Sequence, residues 1–275
     1  MLALRTVSLR HRNKKRKNGP CARFLHIDMN IRELINRALF YVTVPKCVLC
    51  KEKLDFDDRA LCKSCFSVYE SHKKRNCPKC ANVLNECFCT YDYLESHGIK
   101  NLVKLFRYSQ SEHSLPSNYL IYSLKQDNRK DVFSFLADEL AIAIRHNFAN
   151  DLSRCVITNV PRRNKAIVDF GYDHAKILAM HVADILNIEY VKILKSKSKK
   201  PQKSVYGNAR ISNAKFEYNC KKTLSLKGKI VILVDDIVTT GASMINCATL
   251  IRGLKPKKIV GACLGTAYKE EGVVF

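Results

Sequence analysis

The run Ile230 to Val234 is short, apolar and largely β-branched, and two adjacent acids, Asp235 and Asp236, follow it at once. A continuous apolar run of this length predicts a strand buried on both faces, as in a parallel sheet, rather than an amphipathic helix. After Ile237 and Val238 come Thr239, Thr240, Gly241, Ala242 and Ser243, all small, ahead of a helix-compatible run from Met244 to Leu254. Strand, acidic tip, turn and helix in that order belong to an open α/β sheet. Ligands of such sheets sit outside the carboxyl ends of the strands, where this order puts both aspartates and the turn.

The turn and the acids ask for different partners. N–H groups at the start of a helix hold a phosphate well. Two neighbouring carboxylates repel one, because like charges at close range cost energy in any dielectric. A ligand with a phosphate at one end and hydroxyls, or a bound cation, a few ångströms away satisfies both, and a sugar phosphate has that form. A nucleotide-hydrolysing site with a similar acidic strand also needs a loop G-x-x-x-x-G-K-[ST]. The only Gly-Lys pair, Gly228-Lys229, is followed by Ile230, and no G-x-G-x-x-G occurs. A buried strand ending in solvated aspartates is the plain structural alternative.

Further strands are predicted over Cys155 to Val160, Ile188 to Ile193 and Lys258 to Leu264, with helices Asp173 to Leu186 and Ala242 to Arg252 between them. Gly98 to Arg107 and Tyr119 to Asn147 read as helices, the latter on the spacing of Leu136, Leu140 and Ile144. Arg162 and Arg163 follow the first of these strands after Pro161, and a pair of guanidinium groups there suits a pyrophosphate. From Lys192 to Lys203 the chain has six lysines and no acid, either a solvated charge run or a loop that closes over an anionic substrate.

Eight of the thirteen cysteines lie between Cys47 and Cys89, as Cys47-x-x-Cys50, Cys62-x-x-Cys65, Cys77-x-x-Cys80 and Cys87-x-Cys89. Thiolate pairs repeated at short intervals suit tetrahedral zinc, and the reading is a double zinc ribbon with a structural role. An all-cysteine shell leaves no open position for catalysis, and the metal supplies folding energy that so small a module lacks. Sequential pairing and a cross-braced arrangement joining the first pair to the third both remain open. A disulfide scaffold is the competing reading. Cys21, Cys155, Cys220, Cys247 and Cys263 have no ligand spacing.

The first twenty residues hold seven Lys or Arg and no acid, which gives residues 1–28 the composition of a basic, disordered tail without a signal-peptide core. A start at Met29 is the alternative. No apolar run approaches the ~20 residues of a membrane span, and Leu34 to Val44, with Asn36 and Arg37, reads as an amphipathic helix. The expected location is the cytoplasm. The net charge of +23 gives a non-specific attraction to phosphate backbones, and so to single-stranded DNA.

Val234-Asp235-Asp236-Ile237-Val238-Thr239-Thr240-Gly241-Ala242-Ser243 resembles the signature of type I phosphoribosyltransferases, which bind 5-phosphoribosyl-1-pyrophosphate with magnesium. The resemblance implies that Asp235 and Asp236 hold the ribose hydroxyls, with a catalytic role, and that Thr239 to Ser243 hold the 5-phosphate. Many members carry a third acid where Thr239 stands, as an aid to base chemistry. Gly171-Tyr172-Asp173-His174-Ala175 is similar to the G-F-N-Q-A box of one branch, the ComF family, which is associated with DNA uptake in natural competence and carries an N-terminal cysteine-rich ribbon. Pro201-Gln202, Arg210 and Asn213 follow in the order of that branch's flexible loop, so Lys203 and Arg210 join Arg162 and Arg163 as substrate contacts. The likeness runs from about Pro45 to Ala267.

The implied organisation is a basic tail over 1–28, a helix and double zinc ribbon over 29–92, and a phosphoribosyltransferase-like domain over 93–275. The function implied is phosphoribosyl pyrophosphate binding or transfer, with the acceptor open and with competence proteins as partners. The alternative is a non-catalytic zinc-ribbon protein that binds single-stranded nucleic acid or competence partners.

Overall fold

The computed structural model describes residues 44–77, 79–108, 115–127, 129–162, 167, 171–197, 216–219 and 225–267. The basic tail, Met29, most of the expected helix Leu34 to Val44, and the loop residues Pro201, Gln202, Lys203, Arg210 and Asn213 lie outside them, as does Arg163. Contacts divide the chain into two units, Met1–Pro45 and Lys46–Phe275.

Five strands form one parallel sheet: β1 (Leu102–Tyr108), β2 (Cys155–Asn159), β3 (Glu189–Tyr190), β6 (Ile230–Val238) and β7 (Lys258–Ala267), in the order β1-β7-β6-β2-β3. Short strands β4 (Leu194–Ser196) and β5 (Phe216–Tyr218) pair antiparallel as a separate ribbon. The helices are α1 (Lys63–Lys73), α2 (Asp92–Ser96), α3 (Pro116–Tyr122), α4 (Lys130–Phe148), α5 (His174–Leu186) and α6 (Ala242–Arg252). A π-helical turn, Ser123–Asp127, lies between α3 and α4.

Alternation along β6 sorts its side chains into two layers. Ile230, Ile232 and Val234 join α4 and α5 in one core, whereas Val231 and Leu233 join α6 in the other. A sheet covered on both sides needs strands apolar on both faces, which accounts for the unbroken run at Ile230. On the same alternation Asp236 belongs to the α4–α5 side and Asp235 to the α6 side.

Several predicted elements differ from those observed. Gly98 to Arg107 is no helix: Leu102–Tyr108 is edge strand β1, paired in parallel with β7. A short apolar run carries no decisive period, and pairing with a distant strand decides its state. Tyr119 to Asn147 is interrupted by the π-helical turn. Only Glu189–Tyr190 of the predicted third strand pairs, at the sheet's other edge. β6 runs past Val234 to Val238, so the aspartates lie within the strand rather than after it. Helix Ala242–Arg252 has the predicted bounds, and α5 begins one residue late because Asp173 is its N-cap.

The cysteine-rich part packs onto the sheet layers. Tyr69 of α1 is buried against Phe106 and Phe135, ring centroids 6.3 and 5.3 Å away, and its hydroxyl donates to Glu139 of α4 at 3.2 Å. No described helix is long and apolar enough to cross a membrane.

Candidate functional site

β2 leads through α5 to β3 on one side, and β6 leads through α6 to β7 on the other, so the sheet's topological switch point falls between β2 and β6. There a crevice of about 410 Å³ opens, lined by Val160, Pro161 and Arg162 beyond β2 and by Asp235, Asp236 and Ile237 of β6. Ala175 of α5, Ser243 of α6, and Ser196 and Phe216 of the β4–β5 ribbon complete the wall. β2 pairs with β6 only as far as Asn159 opposite Val234, so among the described residues no strand pairs with that flank of β6 from Asp235 onward.

The two acids sit in different fields. Burial, and then the charge on Asp236, push the Asp235 carboxyl well above the usual carboxylate range. Burial also opposes ionisation of Asp236, but Lys125 and Arg162 outweigh it and hold that carboxyl below its ordinary value. Lys125 Nζ lies 3.1 Å from an Asp236 oxygen, with both side chains mostly covered. Asp236 is therefore the standing anion of the crevice, and Lys125, on the π-helical turn, is its cation.

Arg162 is held from α5. Its backbone N–H donates to Asp173 at 3.4 Å, while the other Asp173 oxygen caps the helix by accepting from the Lys176 N–H at 3.1 Å. Its guanidinium donates to Nδ1 of His174. Burial and then Arg162 push that ring down to about 4, so it is neutral and able to accept from Arg162. The ring stacks on Phe133 at 5.8 Å and also meets the Leu124 backbone. Sequence reasoning left His174 out of the mechanism and missed Lys125 altogether. The readable signal for the first was the capping pattern at Asp173.

After β6 the chain turns at Gly241, whose φ of 78° is left-handed, and this glycine caps α6. A Cβ there would stand 2.6 Å from Leu94 Cδ2, so both conformation and space call for glycine. Thr239 and Thr240 are exposed; Thr240 accepts from the Ala242 N–H at 3.4 Å. The turn and the N-terminus of α6 thus lie next to the acids, as the sequence reading required.

The eight cysteines gather into Cys47, Cys50, Cys62 and Cys65 and into Cys77, Cys80, Cys87 and Cys89, all sulfurs of each set within 4.8 Å of one another. Pairing is sequential, not cross-braced. Sulfur separations of 3.7 Å for Cys50–Cys62 and 3.5 Å for Cys80–Cys87 are near the edge of about 3.8 Å that a tetrahedron with 2.3 Å bonds has. Both clusters open on the same turn. The first cysteine's N–H donates to the carbonyl five residues on (Glu52, Asn82), and the left-handed residue four on (Lys51, Ala81) donates back to that cysteine's carbonyl. The donor set and this repeated knuckle fit zinc. Among the described residues no other group of three or more His, Cys, Asp or Glu converges.

The phosphoribosyl transferase domain family matches residues 174–272. Ribose-phosphate pyrophosphokinase of Thermococcus kodakarensis is 36% identical over 95 residues, 34% of this chain and 29% of the relative. Ribose-phosphate pyrophosphokinase 2 of Archaeoglobus fulgidus is 32% identical over 53 residues, 19% of this chain and 20% of that one. The chain thus spans less than a third of these curated relatives. Among solved structures, purine phosphoribosyltransferase from Pyrococcus horikoshii is 21% identical, covering 50% of this chain and 78% of its own at a TM-score of 0.34. Adenine phosphoribosyltransferase from Saccharomyces cerevisiae is 17% identical, covering 52% and 72%, at 0.35. The family match covers α5, both aspartates, the glycine turn and β7, and the parallel sheet flanked by helices that bears them is a type I phosphoribosyltransferase fold.

Proposed function

We propose that the crevice binds 5-phosphoribosyl-1-pyrophosphate and that the chain is a phosphoribosyltransferase-like protein with structural zinc in its cysteine clusters. The observation that carries this reading is the pairing at the switch point: an ionised acid, Asp236, one residue from a second acid, beside a glycine turn that opens a helix. A ligand with ribose hydroxyls next to a phosphate satisfies both. The pyrophosphokinase relatives handle, by their name, a ribose phosphate and a pyrophosphate, which supports the choice of ligand.

Asp236 accepts from the ribose hydroxyls, with Asp235 beside it, and the N–H groups from Thr239 to Ser243 take the 5-phosphate. Arg162 faces the pyrophosphate, and the family resemblance adds Arg163, Lys203 and Arg210 as further contacts. Donors so placed stabilise the departing pyrophosphate, typically by ~3 to 4 kcal/mol each. Two aspartates make a poor cage for magnesium, which keeps most of its ligands as water and substrate oxygens. The cation therefore enters with the pyrophosphate, and Asp236 is the residue able to meet it. The acceptor is open.

The ComF resemblance adds a setting, DNA uptake in the cytoplasm with competence proteins as partners. A second reading, a non-catalytic protein that binds single-stranded DNA, has the net charge of +23 in its favour. Calorimetric titration with phosphoribosyl pyrophosphate and magnesium tests the first: micromolar binding abolished in the Asp235→Asn/Asp236→Asn double variant supports it, and no binding by the wild type overturns it. Single-stranded DNA binding that does not weaken between about 50 and 200 mM salt would defeat the electrostatic account of the second.

A further inference from the structure

Lys104 is a buried lysine, 6% exposed, on strand β1. A buried ammonium demands hydrogen-bond acceptors and a counter-charge. Among the described residues no carboxylate pairs with it. Its Nζ instead donates to the Cys89 carbonyl at 2.7 Å, to the Cys87 carbonyl at 3.5 Å and to Cys87 Sγ at 3.4 Å. Everything that receives it belongs to the second cysteine cluster.

We infer that Lys104 is a positioning residue for a metal ion held by Cys77, Cys80, Cys87 and Cys89, its ammonium bonding the Cys87 thiolate and offsetting the charge of the four-sulfur shell. This rests on the reading of the clusters as metal sites. Four thiolates around a dication leave two negative charges, a surplus that is costly where Cys77 and Cys87 are buried. The first cluster meets the same surplus differently, since Cys62 is the N-cap of α1 and Cys65 lies in its first turn, where the helix dipole favours anions. The second cluster uses a full charge delivered from the sheet.

The same contact joins the metal to the domain that carries the crevice. Lys104 lies opposite Cys263 of β7, and β7 pairs with β6. On either side of it, the Leu102 N–H donates to the Phe88 carbonyl at 3.1 Å and Arg107 donates to the Asn76 carbonyl at 3.1 Å. The second knuckle is thus bonded to β1 along its length.

The test is metal release from the full chain to a chromogenic chelator, with metal per chain counted by native mass spectrometry. Wild type should hold two zinc ions. Lys104→Met should release one of them about 10- to 100-fold faster, the usual penalty for losing a partner bonded to a ligand, and leave the other unchanged. Lys104→Arg should restore slow release. Two unchanged release phases in a folded Lys104→Met variant overturn the inference, whereas a wild type with no metal overturns the reading of the clusters beneath it. Should Lys104→Met fail to fold, wild type loaded with spin-active cadmium decides by NMR. Scalar coupling between the Lys104 ammonium protons and cadmium in the second cluster is the expected result, and its absence rejects the bond.

Discussion

The second cysteine cluster and the carboxyl edge of β6 both crowd negative groups together, and each has a lysine from a neighbouring element within bonding distance: Lys104 for Cys87, Lys125 for Asp236. They differ in what remains open. Each cluster closes four sulfurs on one point, which suits a structural ion with no vacant coordination position. At the edge, alternation along the strand sends Asp235 and Asp236 toward different layers, and β2 pairs no further than Asn159, where the crevice opens. Closed anionic sites hold the fold, and open ones are available to a ligand.

The largest effect expected from breaking this contrast is metal removal. Structural zinc contributes ~10 kcal/mol or more of apparent binding energy, nearly all of it folding energy in a small module. A strong chelator under reducing conditions should therefore lower the thermal midpoint of the whole chain, because Tyr69 and Lys104 join the cysteine-rich part to the sheet's own core. Calorimetry that shows an unchanged sheet transition after metal removal would mean that the two regions are energetically independent.

Next comes the division of labour between the acids. Asp236→Asn removes an anion and should weaken phosphoribosyl pyrophosphate binding by about 10- to 100-fold, the range for losing hydrogen bonds to a charged group. Asp235→Asn replaces a carboxyl already pushed toward its neutral form and should cost only a few-fold. Equal losses in titration would refute the assignment of Asp236 as the standing anion. Stability should respond in the opposite sense. A carboxyl whose pKa is higher in the folded state stabilises the fold fully below the ordinary carboxylate range and loses that contribution as the pH rises through its folded value. Without ligand, Asp235→Asn should thus melt about 2 to 4 °C above wild type at neutral pH, the shift that about 1 kcal/mol gives a chain of this size. The gap should close as the pH falls toward about 4. A variant that melts lower than wild type at pH 7 would contradict the raised Asp235 pKa.

What could be read in the sequence follows from how local each signal is. The strand at Ile230, the glycine turn and α6 each carry their cause in neighbouring residues, so they were legible. So were the four cysteine pairs, though not their partners, since a shared spacing does not say which pairs meet. β1 was not legible, because Leu102 to Phe106 suits either element and its strand state depends on β7, far along the chain. Lys104 and Lys125 are two lysines in a chain that holds 48 Lys and Arg, and only tertiary packing sets them apart. The aspartates were visible, but their unequal charge was not, since it arises from the cations brought to one of them.

The smallest expected effect concerns His174, which stands at the position of glutamine in the motif it resembles. Its ring accepts from Arg162 and presents no described atom to the crevice, so a side chain that also accepts should replace it. His174→Gln is expected to change phosphoribosyl pyrophosphate affinity by less than about threefold, a difference under 1 kcal/mol. Its signature lies in pH dependence. The ring titrates at about 4 when folded against 6.5 ordinarily, so the unfolded chain binds the extra proton first and stability falls as the pH drops through that window. The variant lacks this group and should lose less stability than wild type between those two values. Parallel melting curves across the window would mean that burial and Arg162 do not hold the ring neutral, and a tenfold loss of affinity would move His174 into the binding machinery itself.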